Sequence, residues 1–134
     1  MPAAHLDTNA FSDLMRHHVA VKRRVGNFPD VVSISAVVMG EIRFGLERLP
    51  TGKKRDHLEA EAIQLFAMMP IEKIDSKVAD LYGQIQALLE AKGINPQDND
   101  LWIAATALSC GALLVTRDQG FLQIPGLVVE DWSV

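Results

Sequence analysis

The sequence predicts a three-layer α/β/α sandwich built on a mostly parallel sheet. Short apolar runs alternate with longer stretches of helical periodicity along the whole chain. Ala112-Leu113-Leu114-Val115-Thr116 reads as a continuous apolar strand, the kind buried on both faces of a parallel sheet. Acidic residues stand at or just beyond the ends of the first and fourth extended runs, at the edge where open parallel sheets bind their ligands.

Taken in order, Ala3-Ala4-His5-Leu6 forms a first strand that ends abruptly at Asp7. Residues 9–25 are mostly helical. Val31-Val32-Ser33-Ile34 is β-branched, follows Pro29-Asp30 and reads as the second strand. Ser35 caps a helix running from residue 36 to about 49, which Pro50-Thr51-Gly52 ends. Residues 53–68 form another helix, with Leu58, Ala62, Leu65 and then Met69 on one face. Residues 69–74 are extended. Asp75 or Ser76 caps a helix with Val78, Leu81, Tyr82, Ile85, Leu88 and Leu89 at helical spacing, closed by Gly93. Asn95-Pro96-Gln97-Asp98-Asn99 is a loop, residues 100–110 an apolar helix, and Gly111 its stop. Leu127-Val128-Val129 is the last strand.

At 134 residues the chain is expected to be one domain with a core that needs no metal or disulfide staple. Its 49% hydrophobic and 22% charged residues exclude a disordered chain. The net charge of −4 argues against a protein that coats nucleic acid through a basic surface. It leaves room for an enzyme with metal in an acidic pocket, because a bound cation reverses the local sign. The first residues lack the basic and apolar regions of a signal peptide, and no apolar run approaches the ~18 residues of a membrane span. Cys110, the lone cysteine, sits in an apolar run and is expected in the core of a protein from a reducing cytoplasm.

Four carboxylates then matter. Asp7 follows the first strand, Glu41 lies two turns into the helix after the second, Asp100 opens the apolar helix, and Asp118 lies two residues beyond the fourth strand. Each has a plain structural reading. Asp7 and Asp100 serve as helix caps, and Asp118 as a turn residue beside Gly120. Glu41 edges the core between Gly40 and Gly45, which suggests a backbone or ligand coming close. If the four converge, pairs 4 Å apart repel by roughly 4 kcal/mol at an effective dielectric of ~20. They then require raised pKa values or a cation, and a set of hard oxygen ligands suits Mg²⁺ or Mn²⁺. The histidines do not show zinc spacing: His17 and His18 are adjacent, and His5 and His57 isolated.

The same residues carry a resemblance. Leu6-Asp7-Thr8-Asn9, then residues 35–46 with Gly40-Glu41-Ile42-Arg43-Phe44-Gly45-Leu46, then Asp100-Leu101-Trp102-Ile103-Ala104-Ala105-Thr106-Ala107, and finally residues 114–121 with Thr116-Arg117-Asp118-Gln119-Gly120-Phe121 resemble the PIN-domain nucleases, and more narrowly the VapC toxins. The resemblance covers nearly the whole chain in the family's order. It implies an acidic Mg²⁺ site made of Asp7, Glu41, Asp100 and Asp118, with Asp7 and Asp100 the most direct ligands and Mn²⁺ able to substitute. Asp100 is preferred to Asp98 because it stands three residues before Ile103-Ala104-Ala105. Thr8 and Thr116 would donate hydrogen bonds to a carboxylate or to phosphate. The implied activity is metal-assisted hydrolysis of RNA phosphodiester bonds, an endoribonuclease acting as the toxin of a toxin–antitoxin pair in the cytoplasm.

Arg43 and Arg117 would meet substrate phosphates. Lys22-Arg23-Arg24 and Lys53-Lys54-Arg55 either extend that path or are solvated helix faces. The resemblance also implies a homodimer and a cognate VapB-type antitoxin. Met39, Phe44, Phe66, Met68 and Met69 offer that partner an apolar groove, or else pack in the core. Competing readings are a catalytically inactive PIN-like interaction domain, or a receiver-like or phosphatase domain with an acidic pocket. A receiver needs paired acids after the first strand and a late lysine, whereas this chain has Asp7-Thr8-Asn9 and Arg117. A haloacid-dehalogenase-type phosphatase needs a second aspartate where Asn9 stands.

Overall fold

The computed structural model describes residues 3–28 and 30–134. Pro29, read as leading into the second strand, lies outside them. Five strands, β1 (Ala3–Leu6), β2 (Val32–Ser35), β3 (Ile71–Glu72), β4 (Ala112–Val115) and β5 (Val129–Glu130), form one sheet in the order β3-β2-β1-β4-β5. Every pairing is parallel, with Ala4 opposite Val32, Leu6 opposite Val115 and Val115 opposite Glu130. The expected mostly parallel sheet is therefore wholly parallel.

Paired α-helices fill the first three crossovers: α1 (Thr8–Met15) and α2 (Val19–Asn27) between β1 and β2, α3 (Ala36–Arg48) and α4 (Lys53–Met68) between β2 and β3, and α5 (Ser76–Ala91) and α6 (Asp98–Ser109) between β3 and β4. Right-handed connections put α1–α4 on one face of the sheet. They put α5 and α6, which return in the opposite direction, on the other. The direction reverses between β1 and β4, so the crevice beyond the carboxyl ends of these two strands is the topological switch point.

The core follows from the pattern. Ala4, Leu6, Ile34, Leu114 and Val115 are buried in the strands. Against them pack Phe11 from α1, Val38, Ile42 and Leu46 from α3, and Leu101, Ile103, Ala104, Ala105 and Ala107 from α6. Ser35 and Asp75 cap α3 and α5, accepting from the backbone N–H groups of Val38 and Val78.

The stretch read as mostly helical over residues 9–25 is two helices, and three other expectations need correction. α1 stops at Met15, and His17 takes a left-handed conformation with φ 62°. The His17 and His18 N–H groups bond back to the carbonyls of Leu14 and Asp13, closing a Schellman turn without a glycine. His18 then caps α2, its Nδ1 accepting from Val21 N–H. The 95–99 loop is shorter than expected, because Asp98 and Asn99 already belong to α6 behind Gln97. Cys110 is exposed rather than core, since it caps the carboxyl end of α6 where the buried face has run out. Partial burial of its sulfur, and then the Glu72 carboxylate, push the thiol pKa up, the opposite of an activated nucleophile. Gly40 and Gly45 are exposed, and nothing lies within 4 Å of a side chain placed at either, so no backbone comes close there.

His5 lies at the sheet centre, fully buried. Its Nδ1 is 2.9 Å from Ser33 Oγ, and its Nε2 has no partner among the described residues. Burial lowers its pKa from 6.5 to about 4. Between those values the unfolded chain binds the proton and the folded chain does not. Stability is therefore lost from about pH 6.5 downward, by roughly 3 kcal/mol at pH 4. Urea unfolding of the wild type and of His5→Gln across that range isolates the effect. The wild type is expected to lose that much more than the variant, and parallel pH profiles would contradict the assignment.

Candidate active site

At the switch point a crevice of about 660 Å³ opens, lined among others by Asp7, Thr8, Glu41, Asp100 and Asp118. The local chain explains each position. Asp7 directly follows β1, and its N–H donates to the Val115 carbonyl, which ties it to β4. It is also the cap of α1, with Oδ1 accepting from Ala10 N–H at 2.8 Å. Capping and a place in the crevice are compatible, because one carboxylate oxygen serves the helix. Asp118 behaves alike: it opens a short 3-10 helix (Gln119–Gln123) and accepts from Gly120 N–H at 2.8 Å. A Cβ on residue 120 would stand 3.1 Å from Asp118 Oδ1, so glycine keeps that carboxylate in place.

Glu41 comes from α3. Thr8, the first residue of α1, donates its hydroxyl hydrogen to Glu41 Oε1 at 2.6 Å. Asp100 sits in the first turn of α6, where helix N–H groups favour a negative charge. Asp98 is not in the crevice lining and instead accepts from the Tyr82 hydroxyl at 3.1 Å. Thr116, buried just after β4, accepts from Asp118 N–H at 3.0 Å, and its hydroxyl acts to lower the Asp7 pKa.

The electrostatics are those of crowded acids. The Asp100 pKa is pushed from 3.8 up to about 6, first by burial and then by the charges of Asp118, Glu41 and Asp7. Burial also raises Asp7. The Thr116 hydroxyl and Ala10 N–H pull it back, Asp118 adds to the rise, and Arg117 opposes it. Among the described residues no three His, Cys, Asp or Glu side chains are grouped closely enough to hold one ion together. That geometry does not make an all-protein cage. It does fit a hard cation that keeps several of its waters and takes one or two carboxylates, as Mg²⁺ does. The donor set, oxygen only, and the uncompensated repulsion at Asp100 point the same way.

Two expected substrate contacts lie elsewhere. Arg43 does not line the crevice. Two residues on from Glu41 is about 200° around a helix, and there Arg43 meets Glu59 of α4 and Glu47. Arg117 also lies outside the lining, paired with Asp13 at 3.2 Å. In the basic runs, Arg24 reaches Glu130 and Arg55 reaches Glu47. Of the apolar set, Phe66 stacks on Phe11 with ring centroids 5.2 Å apart, and Met69 is half-buried. Met39, Phe44 and Met68 are exposed. Sequence reasoning missed the far wall of the crevice: Leu89, Ile94, Asn95, Pro96 and Gln97 from the end of α5 and the loop after it, and Gln123 and Ile124 after β4. Its one signal was the Pro-containing loop itself.

The PIN domain profile matches residues 4–127. Ribonuclease VapC2 of Rickettsia felis is 30% identical over 105 residues, spanning 78% of this chain and 76% of that protein. Toxin FitB of Neisseria gonorrhoeae is 34% identical over 137 residues, spanning 95% and 96%. Among solved structures, that of VapBC2 from Rickettsia felis, bound to a DNA fragment from their promoter, matches with a TM-score of 0.87. It is 26% identical and covers 97% of this chain and 98% of that one. No described helix is long and apolar enough to cross a membrane.

Proposed function

Because the chain belongs to the PIN domain family, we propose that it is an endoribonuclease, the toxin of a toxin–antitoxin pair, whose acidic site of Asp7, Glu41, Asp100 and Asp118 takes Mg²⁺ with Asp7 and Asp100 as the direct ligands. The observation that carries this is the meeting of four carboxylates at the switch point, with Asp100 driven up to about 6 by its neighbours. Such repulsion is costly in an empty fold and useful to a site that takes a cation. The likeness to Ribonuclease VapC2 and to Toxin FitB supports RNA as substrate and toxicity as outcome.

A bound Mg²⁺, or Mn²⁺ in its place, supplies Lewis-acid stabilisation of charge on the phosphoryl oxygens. The chain supplies the rest. Asp7 is oriented by the Ala10 N–H that bonds its Oδ1. Thr8 occupies one oxygen of Glu41 and so orients the carboxylate. The other oxygen is left to accept a proton from the attacking water. Asp100 is largely ionised above pH 6. The partners are a VapB-type antitoxin and a second copy of the chain. An antitoxin helix would cover the apolar surface that α3 and α4 leave at Met39, Phe44 and Met68. A cytoplasmic setting suits a lone, exposed thiol.

Expressed by itself in bacteria, the wild type is expected to arrest growth, while Asp7→Asn accumulates harmlessly. Vigorous growth with abundant intact wild-type protein would contradict the toxin reading.

A further inference from the structure

The crevice is far larger than a metal site needs, and its second wall has a chemistry of its own. Its lining holds four carboxylates but, among the described residues, no lysine, arginine or histidine. Arg117 and Arg43, close in sequence to the acids, are engaged with carboxylates, Arg117 with Asp13 and Arg43 with Glu59. The same crevice is lined by the amide residues Asn9, Asn95, Gln97 and Gln123, all exposed, and by apolar Ile94, Phe121 and Ile124. A phosphate gains little from that wall. A nucleobase gains much, having apolar faces and an edge where donor and acceptor stand side by side. A glutamine or asparagine amide matches such an edge with two hydrogen bonds. At about 660 Å³ the crevice has the size of a small-molecule site. A base enters such a crevice once it is unstacked and unpaired, whereas in an A-form duplex it stays stacked and its major-groove edge lies in a groove too deep and narrow for side chains to read.

We infer that the wall formed by Ile94, Asn95, Gln97 and Gln123 is a nucleobase subsite that reads one unpaired base beside the scissile phosphate. Gln97 and Gln123 are its specificity-determining residues. This rests on the ribonuclease reading above. It adds that selectivity comes from amides in the α5–α6 loop and the 3-10 helix, and that the basic helix faces do not set the cut position.

The test uses the full-length protein with Mg²⁺ on a single-stranded RNA of randomised sequence, and on the same RNA annealed into duplex, with cut ends read by sequencing. The wild type is expected to favour particular bases at one fixed position next to the cut, and to cut duplex at least tenfold more slowly. Gln97→Ala and Gln123→Ala are expected to flatten that preference by about five- to tenfold. Gln119→Ala, on the same 3-10 helix but outside the lining, should keep it. Gln97→Glu, of the same size with its donor removed, covers the case in which alanine disturbs the loop, and it too should change the preference. Unchanged base frequencies in all three lining variants, with cleavage retained, would overturn the subsite while leaving the ribonuclease reading intact. Equal cutting of duplex would overturn it as well. A wild type that cuts no RNA would remove the ribonuclease reading, and this inference with it.

Discussion

Asp100→Asn is expected to abolish RNA cleavage and, in metal-free buffer, to make the protein more stable. Both effects come from one cause. With its pKa raised from 3.8 to about 6, the ionised Asp100 is costly in the folded state at neutral pH. The full shift corresponds to about 3 kcal/mol, and partial exposure screens it to roughly 1–2 kcal/mol. A neutral amide removes that cost, and the thermal midpoint is expected to rise by several degrees. The same change removes a proposed cation ligand, with cleavage expected to fall by roughly 10²–10³-fold, the scale of single groups that stabilise developing charge. Asp98→Asn is the control, since Asp98 belongs to Tyr82 and lies two residues away. An active Asp100→Asn, or one less stable than the wild type, would sink the assignment.

Mg²⁺ should bind tightly at neutral pH and progressively less well in acid. A carboxylate with a raised pKa keeps its proton as the pH falls through about 6, and the cation must displace it. Apparent affinity is therefore expected to drop about tenfold per pH unit below that value, more steeply if Asp7 is protonated too. Bound metal stabilises the fold by mass action, about 2.7 kcal/mol at a concentration 100 times the dissociation constant. Titration calorimetry at pH 7, 6 and 5, with thermal scans on the same samples, reads both. Metal-dependent stabilisation should fade in acid and be lost in Asp100→Asn, although that variant is the more stable one without metal. An affinity independent of pH would contradict the proposed ligand set.

Much of this was legible before the structure, for identifiable reasons. Strand ends are marked by where apolar runs stop, so Asp7 and Asp118 could be assigned to one edge of the sheet. Ser35 announced α3 by its hydroxyl and by the helical pattern behind it. What stayed hidden depends on geometry that residue types do not encode. The stop after α1 uses His17, where a glycine would have been visible. Cys110 sits in an apolar string, yet the helix ends there and turns it to solvent. Arg43 is near Glu41 in sequence and far around the helix, where Glu59 of the next helix holds it. The amides of Asn95, Gln97 and Gln123 come together only because segments distant in sequence line one crevice.

The most direct test of the central claim is an RNA cleavage assay on purified protein freed of any bound partner. Structured and unstructured RNA are incubated with Mg²⁺, with EDTA, and with EDTA followed by excess Mg²⁺ or Mn²⁺, beside Asp7→Asn. The account predicts cleavage that EDTA stops, that either metal restores and that the variant lacks. Cleavage that persists in EDTA, or in Asp7→Asn, would contradict it. No cleavage together with no metal binding would leave a PIN fold used only for protein contact.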